Sequence, residues 1–174
     1  MKAQPIAVGN ALRRLFASAF FWENRPYLAK LMQEAGHFGV GVSGGVQIVA
    51  AVARFIHESG EWLLSLDDAN AFNFILRGAF LPAVAKELDG AGGYALRVYG
   101  CLGDPPPALL YRMESGDVLT IRSAGGVEQG EQGDPLDPVF FSLGILAAMR
   151  AFRASAAANG CSLVGILDDL LAMA

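Results

Sequence analysis

The patterning of this chain predicts an α+β domain, an antiparallel sheet covered by helices on one face. Helical periodicity dominates both the first third of the chain and a long apolar segment near its end. Two short strand-like runs, LLSLDD at 63–68 and LVGILDD at 163–169, each close on a pair of aspartates. Between them, two β-prone segments flank a turn at Glu114-Ser115-Gly116. With 174 residues, the chain is long enough for one domain with a substantial core. Hydrophobic residues make up 53% and charged residues 17%, which excludes intrinsic disorder.

Taken in order, ALRRLFASAFFW from Ala11 has helical spacing, with Asn10 as a suitable N-cap. A second short helix is expected from Tyr27 to Glu34, stopping at Gly36. A glycine-rich stretch, 36–45, leads into VQIVAAVARFIHE, a helix closed by Gly60. Residues 62–66 read as a buried strand whose end meets solvent at the carboxylates. A helical stretch then runs to about Leu88, interrupted at Pro82. Pro105-Pro106-Pro107 fixes an extended approach to the hairpin. The long helix that follows has Asp134 as its expected N-cap, Pro135 as its first residue and Asn159-Gly160 at its end.

The net charge is −4, opposite in sign to that of a free-standing nucleic-acid binder. Either nucleic acid is not the partner, or basic parts of a larger protein lie elsewhere. Cys101 and Cys161 are too few for a disulfide framework or a metal set and read as small buried thiols. No signal peptide precedes Arg13-Arg14, and the longest uncharged stretch, 35–53, is too rich in glycine for a membrane helix. The expectation is an intracellular chain, in cytoplasm or nucleus, neither secreted nor transmembrane.

Candidate chemistry gathers at the two Asp-Asp pairs. A carboxylate beside a buried strand is costly unless compensated. Mg²⁺ compensates well, because it takes hard oxygen ligands: one or two carboxylates plus substrate phosphates. If the two runs are neighbouring strands, Asp67, Asp168 and Asp169 converge as a two-metal site of the kind polymerases and nucleases use. Side chains alternate along a strand, so Asp67 and Asp68 face opposite ways. One Asp-Asp pair alone is also ordinary turn or strand-cap chemistry. The glycine turn GEQGDPL at 130–136 exposes N–H groups that could receive an anion, and is equally ordinary cap chemistry. His37 and His57 lack paired spacing and read as ordinary residues.

LDDANAFN at 66–73 resembles motif A of reverse transcriptases, an aspartate ending a palm strand with an aromatic residue five positions later. QGDPLDP at 132–138 is similar to motif B of the non-LTR retrotransposon branch, and ILDD at 166–169 stands where motif C belongs. PIAVG at 5–9, and FGVGV at 38–42 before Gly44-Gly45, look like the finger segments that precede motif A. The resemblance therefore spans nearly the whole chain. It implies an RNA-directed DNA polymerase domain, with a partial helical fingers segment over 1–60, a palm over 61–174, and no thumb.

The same resemblance implies site roles. Asp67, Asp168 and Asp169 are catalytic and hold Mg²⁺, with Mn²⁺ as a substitute. Asp68, Phe72, Gln132 and Gly133 contact the nucleotide, Phe72 lying under the incoming sugar and rejecting a 2′-hydroxyl by bulk. On the residues alone, Phe72 also reads as a core aromatic. Implied partners are an RNA template, a DNA primer, deoxynucleoside triphosphates and other domains of a parent polyprotein, with no membrane partner.

Three positions depart from the pattern: Ile166 replaces the motif C aromatic, Asp137 the motif B glycine, and Gln4 a finger arginine. The near-repeat EQG-EQG at 128–133 leaves the motif B register open by three residues. Five residues follow Asp169, so a shortened second strand of the motif C hairpin is expected. Alternatives are a catalytically inactive truncated retroelement remnant and the palm of an RNA-directed RNA polymerase. The GVGVSG at 39–44 also matches a dinucleotide-binding pattern, but that fingerprint must follow a strand, and the segment before it reads as helix.

Overall fold

The computed structural model describes residues 11–67, 71–88, 90, 93, 109–113, 115–121 and 135–173. Two helices, α1 (Ala11–Glu34) and α2 (Gly45–Ser59), precede strand β1 (Leu63–Asp67). Helices α3 (Ala71–Phe74) and α4 (Arg77–Glu87) follow, then the hairpin β2 (Leu109–Arg112) and β3 (Val118–Ile121). The long helix α5 (Asp137–Ala158) leads into β4 (Ser162–Ile166) and β5 (Asp169–Met173). The result is α+β, as the patterning predicts.

The main sheet is three-stranded and antiparallel in the order β1-β5-β4. The strands of the two apolar runs are therefore not neighbours, as β5 lies between β1 and β4; the hairpin turn instead brings Asp169 beside β1, and β5 pairs along its whole length, from Met173 opposite Leu63 to Asp169 opposite Asp67. β2 and β3 form a separate two-stranded sheet, turned at Gly116 with φ 90°.

Helices cover this sheet on two faces, where one was expected. Leu163 and Ala172 join Met149 and Ala156 of α5 in an apolar cluster on one side. Ser65, Ile166, Asp169 and Leu171 share a hollow with Val46, Val49 and Ala50 of α2 on the other. The sequence of β5 explains this: LLAM is apolar without alternation, as befits a strand covered on both faces. β1 differs from the buried strand expected of it. Every residue of β1 is exposed, since among the described residues it lies at the sheet edge with a single strand beside it.

The principal core joins α1, α4 and α5. Ala17, Phe20, Leu28, Leu31 and Met32 of α1 meet Phe80 and Val84 of α4 and Val139, Phe140, Leu143 and Leu146 of α5. The first-helix residues keep a helical period across Pro26, and α1 runs unbroken through that proline, contrary to the two helices expected. Burial of the continuous face outweighs the hydrogen bond that Pro26 cannot donate. Likewise Pro82 lies inside α4, and the break falls earlier, between Phe74 and Arg77.

α5 begins later than expected. Pro135 and Leu136 form a turn, Leu136 is the N-cap, and Pro138 occupies the first turn beside Asp137. Its end is as expected, with Gly160 at φ 75° accepting the left-handed conformation. α5 is long and apolar enough to cross a membrane by composition, but its Val139, Phe140, Leu143 and Leu146 are part of the core. Gly144 lets α4 approach, because a Cβ there would meet Phe80 Cβ at 2.7 Å. Arg150 fastens the same pair by a two-pronged ion pair to Glu87, at 2.9 and 3.3 Å.

Candidate active site

The site is built on the β4–β5 hairpin and the end of β1. Apolar β4 and β5 are joined by a two-residue loop, Leu167-Asp168, and Asp169 opens β5. Asp169 stands directly across from Asp67 in the antiparallel register, so the two side chains project from the same face. Asp168, half-buried, occupies the loop tip next to Asp169 but lines the hollow on the α5 side of the sheet, whereas the exposed Asp67 and Asp169 belong to the face turned to α2. Partial burial first, then the charges of Asp168 and Asp67, push the Asp169 carboxyl above its ordinary value. Among the described residues no three His, Cys, Asp or Glu side chains form a ready-made metal cage.

The loop conformation is unusual. Leu167 has φ 53°, a position that two-residue hairpin loops normally give to glycine. This left-handed conformation costs a branched residue about 1–2 kcal/mol. Contacts from the N-terminal half hold it. The chain from Gly36 to Phe38 lies beside β4, with Gly165 N–H donating to Gly36 O (2.9 Å) and Phe38 N–H to Gly165 O (2.7 Å). Gly39 then crosses the loop so closely that a Cβ there would sit 2.7 Å from the Leu167 nitrogen. The FGVGV segment thus touches the Leu167–Asp168 turn.

His37 completes this support. It is 1% exposed, and its Nε2 lies 3.3 Å from Leu167 O and 3.4 Å from Ser142 Oγ of α5. Burial drives its pKa down, partly offset by the Leu167 carbonyl, so the ring is held towards its neutral form. The sequence reading passed over His37. A single histidine carries no spacing signal, and its contact spans 130 positions.

Phe72 sits half-buried in α3, its ring centroid 4.6 Å from that of Phe141 on α5 at a 38° tilt. Phe141 in turn lines a hollow of about 220 Å³ with Leu167, Asp168, Leu170 and Phe152. Phe141, with Phe72 against it, therefore borders the cavity that Asp168 lines. Asp137, the departure in motif B, is 3% exposed in the first turn of α5, where the helix dipole favours a negative charge. Asp68, Gln132, Gly133 and Asp134 lie outside the described residues, as do Asn10, PIAVG at 5–9, Cys101 and the 105–107 prolines. Cys161 is a free, half-buried thiol.

No family model matches the sequence, and no curated protein matches it. Solved structures do. The apo telomerase of Candida tropicalis, truncated from its C-terminal domain, superposes with a TM-score of 0.54 at 11% identity, over 90% of this chain and 33% of that one. The chain shares its fold with telomerase. The likeness is one of fold, an α+β arrangement of helices with an antiparallel sheet. Telomerase of Candida albicans, in complex with the TWJ fragment of telomeric RNA, is also similar, with a TM-score of 0.39 and 11% identity over 93% of this chain and 30% of that one. The chain thus spans about a third of the length of the telomerases it resembles.

Proposed function

We propose that the chain is the palm and partial fingers of an RNA-directed DNA polymerase, a reverse transcriptase of the retrotransposon kind, which adds deoxynucleotides to a primer 3′-hydroxyl. One observation carries this reading: Asp67 is paired across the strands with Asp169, next to Asp168 at the hairpin tip. The telomerase-like fold supports it.

The donor set fits a hard divalent cation. All the groups are carboxylates, and the proton affinity of Asp169 is raised first by burial and then by the charges of Asp168 and Asp67, which a cation would offset. Asp67 and Asp168 would hold Mg²⁺, or Mn²⁺ in its place, with Asp169 as a weaker support. The bound metal would supply activation of the hydroxyl and neutralisation of the triphosphate. The chain's own residues fix position. β1 and the hairpin set the carboxylates, and the Phe72 ring, backed by Phe141, bars a 2′-hydroxyl from the sugar site. Asp68, Gln132 and Gly133 contact the nucleotide in the same reading. The RNA template and DNA primer are gripped chiefly by basic parts of other domains, in keeping with the net charge of −4. The setting is intracellular, in cytoplasm or nucleus.

The experiment is primer extension on an RNA template with Mg²⁺ or Mn²⁺, by the chain joined to the other domains of its parent polyprotein. Extension is expected, and Asp67→Ala and Asp168→Ala are each expected to reduce it at least ~100-fold, the scale on which a misplaced reacting centre is felt. Undiminished extension by either variant removes the metal assignment. A folded chain that extends nothing favours the second reading, an inactive retroelement remnant, which Ile166 in place of the motif C aromatic motivates. Equal use of ribonucleotides by the unmodified chain favours an RNA-directed RNA polymerase palm. Otherwise Phe72→Val relaxes the sugar discrimination.

A further inference from the structure

We propose that His37 is a positioning residue for the catalytic hairpin: its Nε2–H donates to the Leu167 carbonyl and fixes the peptide from which Asp168 projects. The inference rests on the polymerase reading for its catalytic consequence, but its structural content stands on the contact itself.

The chemistry of the partner decides the tautomer. A carbonyl oxygen only accepts, so the ring nitrogen facing Leu167 O carries the proton. That leaves Nδ1 as a bare acceptor, and Nδ1 is indeed buried with no hydrogen-bond partner. A buried polar atom without a partner is costly, so the ring orientation is set by its other side. There Nε2–H faces two acceptors at once, Leu167 O at 3.3 Å and Ser142 Oγ at 3.4 Å. α5, the 36–38 crossing and the hairpin loop thus meet at one proton.

Why the loop needs an anchor follows from its backbone. Leu167 is held at φ 53°, a conformation its own side chain disfavours. If the carbonyl is released, the Leu167–Asp168 peptide can turn towards an ordinary loop geometry. Asp168 would then move relative to Asp67, which sits on a different strand. Displacement of a reacting group by about 1 Å costs on the order of 100-fold in rate. The anchor acts through geometry and leaves nucleotide contacts alone.

The test has two arms. In the first, long-range ¹H–¹⁵N NMR reads the His37 tautomer, and the Asp168 amide shift reads the peptide it fixes. The expected result is protonated Nε2, with the Asp168 amide displaced in His37→Leu and returned close to its original place in His37→Gln, whose amide can donate. Protonated Nδ1, or an Asp168 amide indifferent to His37→Leu, overturns the proposal. In the second arm, single-turnover primer extension is measured for the same variants. His37→Leu is expected to slow the step about 10- to 100-fold, with apparent nucleotide affinity within about twofold of the unmodified chain, and His37→Gln to recover most of the rate. Equal losses in His37→Leu and His37→Gln reduce His37 to packing and overturn the positioning role. Should His37→Leu fail to fold, Ser142→Ala and the tautomer in the unmodified chain still decide the geometry, Ser142→Ala being expected to leave Nε2 protonated. An unmodified chain that extends nothing defeats the polymerase reading alone, and the NMR arm then judges the anchor.

Discussion

Asp169 concentrates the electrostatics of the site. Its carboxyl keeps its proton to higher pH in the folded chain than in the unfolded one, through burial and the charges of Asp168 and Asp67. Folded protein therefore binds more protons across that interval, and stability falls as pH rises through it. Asp169→Asn removes the loss. Its Tm should exceed that of the unmodified chain at neutral pH in metal-free buffer, with the gap closing below the ordinary carboxylate range. Superimposable Tm-against-pH curves would show that the three carboxylates do not crowd one another. The aspartates were legible in the sequence because two Asp-Asp pairs at strand ends are a pattern. His37 and Leu167 were not, because one acts through a distant carbonyl and the other through a dihedral angle.

The two prolines show where local propensity yields to packing. Pro26 and Pro82 each mark a break by the usual rules, yet both lie inside helices with their rings exposed. The actual interruption, at Ile75 and Leu76, carries no breaker residue at all. Replacing Pro82 with Ala should therefore stabilise the chain by about 1–3 kcal/mol, since it restores an N–H to α4 and removes no buried surface. Urea unfolding measures this; a lower midpoint would mean that α4 depends on the ring. The hairpins, the end of α5 at Gly160 and the strand-terminal position of both Asp-Asp runs follow the sequence pattern closely. The start of α5 does not, because Asp134-Pro135 and Asp137-Pro138 offer the same signal three residues apart and only packing chooses between them.

Stability of the molecule is lodged in the junction of α1, α4 and α5, and the carboxylates lie outside it. Phe140 is fully buried there, its ring 5.7 Å from that of Phe80. Phe140→Ala should cost about 3–5 kcal/mol, whereas Phe55→Ala on the exposed flank of α2 should cost under about 0.5 kcal/mol. Comparable losses in both would place the core elsewhere. This junction draws on residues from 17 to 146, and no reading of local patterns brings such distant segments together. The crossing at Gly39 extends that interdependence to the aspartates. The hairpin owes its shape to a stretch of polypeptide some 130 positions earlier in the chain. A chain shorn of that early stretch would keep every carboxylate and lose the form that gives them an address.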